Sequence, residues 1–151
     1  MPLRNALILP IVSALIAACT GGSESAGSPP AASAAPSGSA PTRIEVKLTD
    51  ALKMEPATMT VPADVPVRFV VTNAGSIDHE FYLGDEAAQA KHEDEMKMGG
   101  MMHDDPNGVS LKAGETKELT HTFAQAGETL AGCHVVGHYP GGMKATITVT
   151  G

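Results

Sequence analysis

Between residues 42 and 151, apolar and polar side chains alternate in short runs separated by turn signals, a rhythm that suits half-buried strands. RIEVKLT at 43–49 sets Ile44, Val46 and Leu48 on one face. VRFVVT at 67–72 is β-branched and apolar enough for a more buried strand. Further strands are expected at 59–61, 79–83, 118–123 and 143–150. Gly, Pro, Asn or Asp recurs between them, at 62–64, 73–75, 112–115 and 125–128. Many short strands with regularly spaced turns, over a length usual for one domain, predict an all-β, antiparallel Greek-key β-sandwich spanning 42–151.

One segment breaks the rhythm. DEAAQAKHEDEMKM at 85–98 contains good helix formers and neither Gly nor Pro. Asp85 and Glu86 stand where negative charge suits the helix dipole, and Gly99-Gly100 ends the pattern. A short helical insertion between two strands is predicted. Its few apolar residues imply loose packing on the sandwich.

The first 41 residues do not belong to that domain. Arg4 precedes an almost wholly apolar run at 6–18 (ALILPIVSALIAA), which is too short to span a bilayer and reads as an export signal. It ends Leu15-Ile16-Ala17-Ala18-Cys19, which resembles a bacterial lipobox. The resemblance implies lipidation of Cys19 and attachment to a membrane on the exported side of the cell envelope. More than one acyl chain on that residue would make the attachment stable. Residues 19–41, rich in Gly, Ser, Ala and Pro without a large aliphatic side chain, form a flexible linker.

The formal charge is −7, with no cluster of Lys or Arg. That balance argues against nucleic acid as a partner and suits docking with a basic one. The chain has two cysteines. If Cys19 is lipidated, Cys133 has no partner, and a lone thiol in an oxidising compartment is either buried and inert or in use.

Cys133, His138 and Met143 recur at equal intervals in GCHVVGHYPGGM, a stretch whose Gly and Pro residues mark a loop between two strands. Thiolate, imidazole and thioether from one loop, joined by a second His, make the His₂Cys set with a weak axial Met of blue-copper centres. The second His is read as His79, at the start of HEFYL. NAGSIDHEF at 73–81 followed by GCHVVGHYPGGMKATITV at 132–149 resembles the cupredoxin family of plastocyanin and azurin.

That resemblance covers 42–151 apart from the helical insertion. It implies one copper ion held by His79, Cys133, His138 and Met143, and one-electron exchange with a redox partner protein rather than enzymatic turnover. It further implies that His138 lies near solvent in an apolar patch where electrons pass. The residue after the first His is commonly Asn in these relatives and is Glu80 here. The Cys–His spacing resembles azurin and the His–Met spacing plastocyanin, so neither subfamily is assigned.

Other residues leave alternatives open. His92, Met96, Met98, Met101, Met102 and His103 are either a second, weak copper site or gap-filling Met with solvated His. A second site would suit a copper carrier or resistance protein. His134 directly follows Cys133, an arrangement that in multicopper oxidases and nitrite reductases reaches a second copper. Those enzymes need His-X-His pairs, which this chain lacks, so His134 is expected to be exposed and non-catalytic. His121 is expected to point outward, and Asp104, Asp105 and the scattered Glu residues to be solvated.

Overall fold

The structure is a computed structural model and describes residues 41–100 and 103–151. The export segment, Cys19, the linker to residue 40, Met101 and Met102 lie outside the described residues.

Among the described residues, nine strands and one helix follow in the order β1 (Thr42–Thr49), β2 (Lys53–Glu55), β3 (Thr58–Pro62), β4 (Pro66–Asn73), β5 (His79–Gly84), α1 (Glu86–Lys97), β6 (Gly108–Leu111), β7 (Thr116–Thr122), β8 (Gly127–Gly132) and β9 (Lys144–Thr150). They form a four-stranded sheet ordered β2-β1-β4-β7 and a five-stranded sheet ordered β3-β9-β8-β5-β6. The chain crosses from sheet to sheet five times, between β2 and β3, β3 and β4, β4 and β5, β6 and β7, and β7 and β8. These crossings make the sandwich.

Five of the seven pairings are antiparallel, and two run parallel: β1 with β4 (Val46 opposite Val71) and β3 with β9 (Met59 opposite Ile147). Period-two patterning records which face a side chain takes and not which way its neighbour runs, so the sequence did not foresee the two parallel pairs.

The alternation seen in the sequence becomes one shared core. Val46 and Leu48 of β1, Phe69 and Val71 of β4, Phe81 and Leu83 of β5, and Ile147 and Val149 of β9 are all buried within it. Phe69 and Phe81 join the two sheets with ring centroids 5.3 Å apart, and Phe123 meets Phe69 edge-on at 6.4 Å. Truncating a side chain such as Phe69 in a core of this density costs about 3–5 kcal/mol.

His121 differs from expectation. It shares the face of buried Leu119, is half-buried, and packs on Phe123 with centroids 4.6 Å apart. Burial lowers its pKa, with a hydrogen bond at Pro106 acting the other way.

The insertion is a helix within one residue of its expected ends. Asp85 is the N-cap, its carboxylate accepting from Ala88 N–H at 2.8 Å, and Met98 is the C-cap. It is not loosely packed. Gln89, His92, Glu93 and Met96 are all buried against the outer side of the five-stranded sheet's β5–β8 region. Its inner face is mostly polar, so a hydrophobic pattern could not reveal it.

Candidate metal centre

Two segments from distant parts of the chain deliver the site. The first is the turn into β5. Asn73, fully buried at the end of β4, donates from Nδ2 to the Ile77 carbonyl at 2.7 Å and the Leu111 carbonyl at 3.3 Å. Its Oδ1 accepts from Gly75 N–H at 2.9 Å. Asp50 accepts from Ser76 N–H at 2.9 Å and from Ser76 Oγ at 2.7 Å. The turn is thereby held from both sides, and His79 follows it at the first position of β5, fully buried. Asp50 Oδ1 stands 3.5 Å from His79 Nε2, which makes no hydrogen bond.

The second segment is the loop from β8 to β9. It closes on itself: Cys133 N–H donates to the Met143 carbonyl at 3.1 Å, and Met143 N–H to the His138 carbonyl at 3.0 Å. His138 N–H donates to the Val135 carbonyl at 2.8 Å. Gly142 sits in the turn at φ 95°, a conformation a side chain rarely adopts.

These segments meet at the sulfur. His138 Nδ1 is 3.4 Å and His79 Nδ1 3.9 Å from Cys133 Sγ. The ligand atoms of the three residues lie within 4.8 Å of one another, the one group of three His, Cys, Asp or Glu so arranged among the described residues. Cys133 and Met143 are both fully buried, and Cys133 is a free thiol. His138 is the ligand candidate nearest to solvent, at 8% exposure against 0% for the others. Val136 and Ile77, each two residues from a candidate ligand, are exposed apolar side chains.

The electrostatics fit a metal. Burial pushes the Cys133 thiol up to about 11, opposed by backbone N–H groups of Glu80 and Val135 aimed at the sulfur. Burial also lowers the pKa of His79, against the pull of Asp50, and of His138, with His79 adding to the effect. Two neutral imidazoles are the ligand forms a borderline cation takes, whereas the Cys133 thiol has to lose its proton on binding. The donor set of two imidazoles, a thiol without a disulfide partner and a buried thioether suits copper.

His134 is not exposed. It lies two residues past the end of β8, where α1 covers it. Its Nδ1 meets Glu93 Oε2 at 2.8 Å, its Nε2 meets Gln89 Oε1 at 2.6 Å, and its ring stacks on Tyr139 with centroids 4.5 Å apart. Nor are all the Glu residues solvated. Glu80 is 1% and Glu93 8% exposed.

Met101 and Met102 of the second cluster lie outside the described residues, and its described helix residues do not converge. His92 turns inward to Glu80 at 3.0 Å, Met96 is buried, and Met98 is 82% exposed. Asp104 keeps to the surface, paired with Lys117 at 2.9 Å.

No family model matches the chain. In sequence it is 38% identical over 107 residues to the copper-resistant cuproprotein CopI of Rubrivivax gelatinosus, a match covering 70% of this chain and 65% of that protein's length. It is 35% identical over 136 residues to the copper-resistant cuproprotein CopI of Pseudomonas aeruginosa, covering 70% of this chain and 75% of that one. The solved structure of auracyanin A, a "blue" copper protein from the green thermophilic photosynthetic bacterium Chloroflexus aurantiacus, superposes with a TM-score of 0.64 at 27% identity. That match covers 74% of this chain and 100% of the other.

Proposed function

The chain belongs to the family of the copper-resistant cuproproteins CopI and has the cupredoxin fold, and from that premise we propose that it holds one copper ion between His79, Cys133, His138 and Met143 and handles copper in the cell envelope. The observation that carries this reading is the convergence of two His nitrogens on a buried, unpaired thiol, with the ligand atoms of His79, Cys133 and His138 within 4.8 Å of one another. Copper, when bound, supplies a one-electron step between Cu(II) and Cu(I). The residues do the rest. Cys133 would give up its proton and bind as thiolate, His79 and His138 would bind as neutral imidazoles through Nδ1, and Met143 would offer its thioether as a weaker donor. Burial keeps water from the sulfur, and the hydrogen-bonded loop holds the donors in place.

Two uses of such a site differ in what leaves the protein. The names of the relatives support copper resistance, in which the ion is sequestered or passed on. The likeness to auracyanin A and the buried, preorganised donor set support electron transfer, in which only the electron leaves. The protein has no role as an enzyme in either reading. Export, the Cys19 lipid and membrane attachment belong to the same proposal, supported by the apolar run and small residues before Cys19.

The copper-loaded protein is to be reduced in the presence of a Cu(I)-selective chelator and then reoxidised. Full recovery of the original spectrum over repeated cycles is the result expected of an electron carrier. Progressive transfer of one equivalent of copper to the chelator is expected of a protein that delivers the ion. A protein that never binds one equivalent contradicts both.

A further inference from the structure

Beside the ligand set lies a buried polar network that the copper reading leaves without a role. Its centre is Glu80. The backbone N–H of Glu80 donates to Cys133 Sγ at 3.2 Å. Its Oε2 accepts the backbone N–H of His134 at 3.2 Å, and its Oε1 meets His92 Nε2 at 3.0 Å. A single residue therefore follows one candidate ligand in the chain, bonds the sulfur of a second, and bonds the residue after that sulfur.

The helix fixes this arrangement. The His92 ring is stacked on Tyr82 at 4.0 Å, 10° from parallel. Glu93 and Gln89, from the same helix, take the two ring nitrogens of His134. The Gln89 amide nitrogen donates to the carbonyls of Tyr82, Gly84 and Leu130, so it grips β5 and β8 together.

We propose that Glu80 is a positioning residue for the Cys133 sulfur and that helix α1, through His92, sets where Glu80 stands. The insertion is then a working part of the metal centre. The physical reason is the cost of leaving Glu80 unsatisfied. With its carboxylate bonded at both oxygens it has one place to be. Removing His92 leaves one oxygen of a buried carboxylate without its donor, a penalty the chain relieves by moving Glu80. Any such movement carries the Glu80 N–H, and with it the hydrogen bond to the sulfur. Hydrogen bonding at a thiolate ligand tunes the metal, and changes in such supporting bonds cost about 10–100-fold in metal affinity or activity.

This inference rests on the reading that Cys133 binds copper. The full chain and its variants Glu80→Gln, Glu80→Leu and His92→Leu are to be loaded with one equivalent of Cu(II). Visible spectra and copper affinities are measured on the loaded proteins, and melting temperatures on the metal-free ones. Glu80→Gln retains an oxygen for His134 N–H and a polar partner for His92, so the thiolate-to-copper bands keep their wild-type positions. Glu80→Leu and His92→Leu change the relative intensities of those bands and weaken copper binding about tenfold or more.

Lower melting temperatures in the Leu variants, with unaltered bands and affinity, mean that the network only packs the helix, and overturn the proposal. Should either Leu variant fail to fold, Tyr82→Leu removes the ring that stacks on His92 and meets His134 edge-on, and leaves Glu80 and His92 themselves in place. Altered bands there support the proposal and unaltered bands overturn it. A wild-type protein with no thiolate band sinks the copper reading as well, which separates that failure from failure of the helix linkage alone.

Discussion

At Cys133 two effects oppose each other. Removal from water favours the neutral thiol, while the N–H groups of Glu80 and Val135 favour the thiolate, and burial wins, leaving the pKa near 11. A bound cation reverses that balance and releases the proton. The metal-free protein is therefore expected to react very slowly with iodoacetamide at neutral pH, its rate still climbing above the ordinary thiol pKa of about 8.5. By linkage the raised pKa favours the metal-free fold below about 8.5, and that contribution is lost as pH rises toward 11. Alkylation that levels off near pH 8.5 contradicts this picture of the sulfur. The imidazoles differ in sign: burial lowers the pKa of both His79 and His138, so the neutral, metal-binding form prevails at neutral pH.

At the scale of elements, the seam between α1 and the β8–β9 loop decides how rigid the site is. Gly132, the last residue of β8, lies so close under the helix that a Cβ there would stand 2.4 Å from Gln89 Oε1 and 2.7 Å from a Tyr139 ring carbon. Gly132→Ala is expected to lower the stability of the metal-free protein by about 1–3 kcal/mol through overpacking, measured by thermal or denaturant unfolding. An unchanged midpoint means the seam is looser than described. The limits of α1 were legible because cap chemistry is local: Asp85 at one end and Gly99-Gly100 at the other. Its packing was not, because Gln89, His92 and Glu93 bury themselves by pairing with Glu80 and His134 across the chain, and no periodicity in one segment reports a distant partner.

For the molecule as a whole, strands with strong alternation were readable and weak ones were not. β1 and β4 carry Val, Ile, Leu or Phe at alternate positions through most of their length and β9 carries Ala145, Ile147 and Val149, whereas β2 has three residues, β6 has four, and β8 (GETLAG) has one large apolar side chain. These short strands take their place through pairing: β8 lies between β9 and β5, with Ala131 opposite both Ala145 and Leu83. The candidate site was readable further than the sheet around it. Cys133, His138 and Met143 share one loop, and His79 was picked out by the motif at 73–81. The reach of Asp50 toward His79, and the tie from Glu80 to the helix, came only with the fold.

The claim on which the account depends is that Cys133 is a copper ligand. The direct test is the visible spectrum of the protein with one equivalent of Cu(II), recorded beside Cys133→Ser. The account predicts an intense thiolate-to-copper band in the first and none in the second. A spectrum without that band, or one that survives the loss of the sulfur, contradicts it.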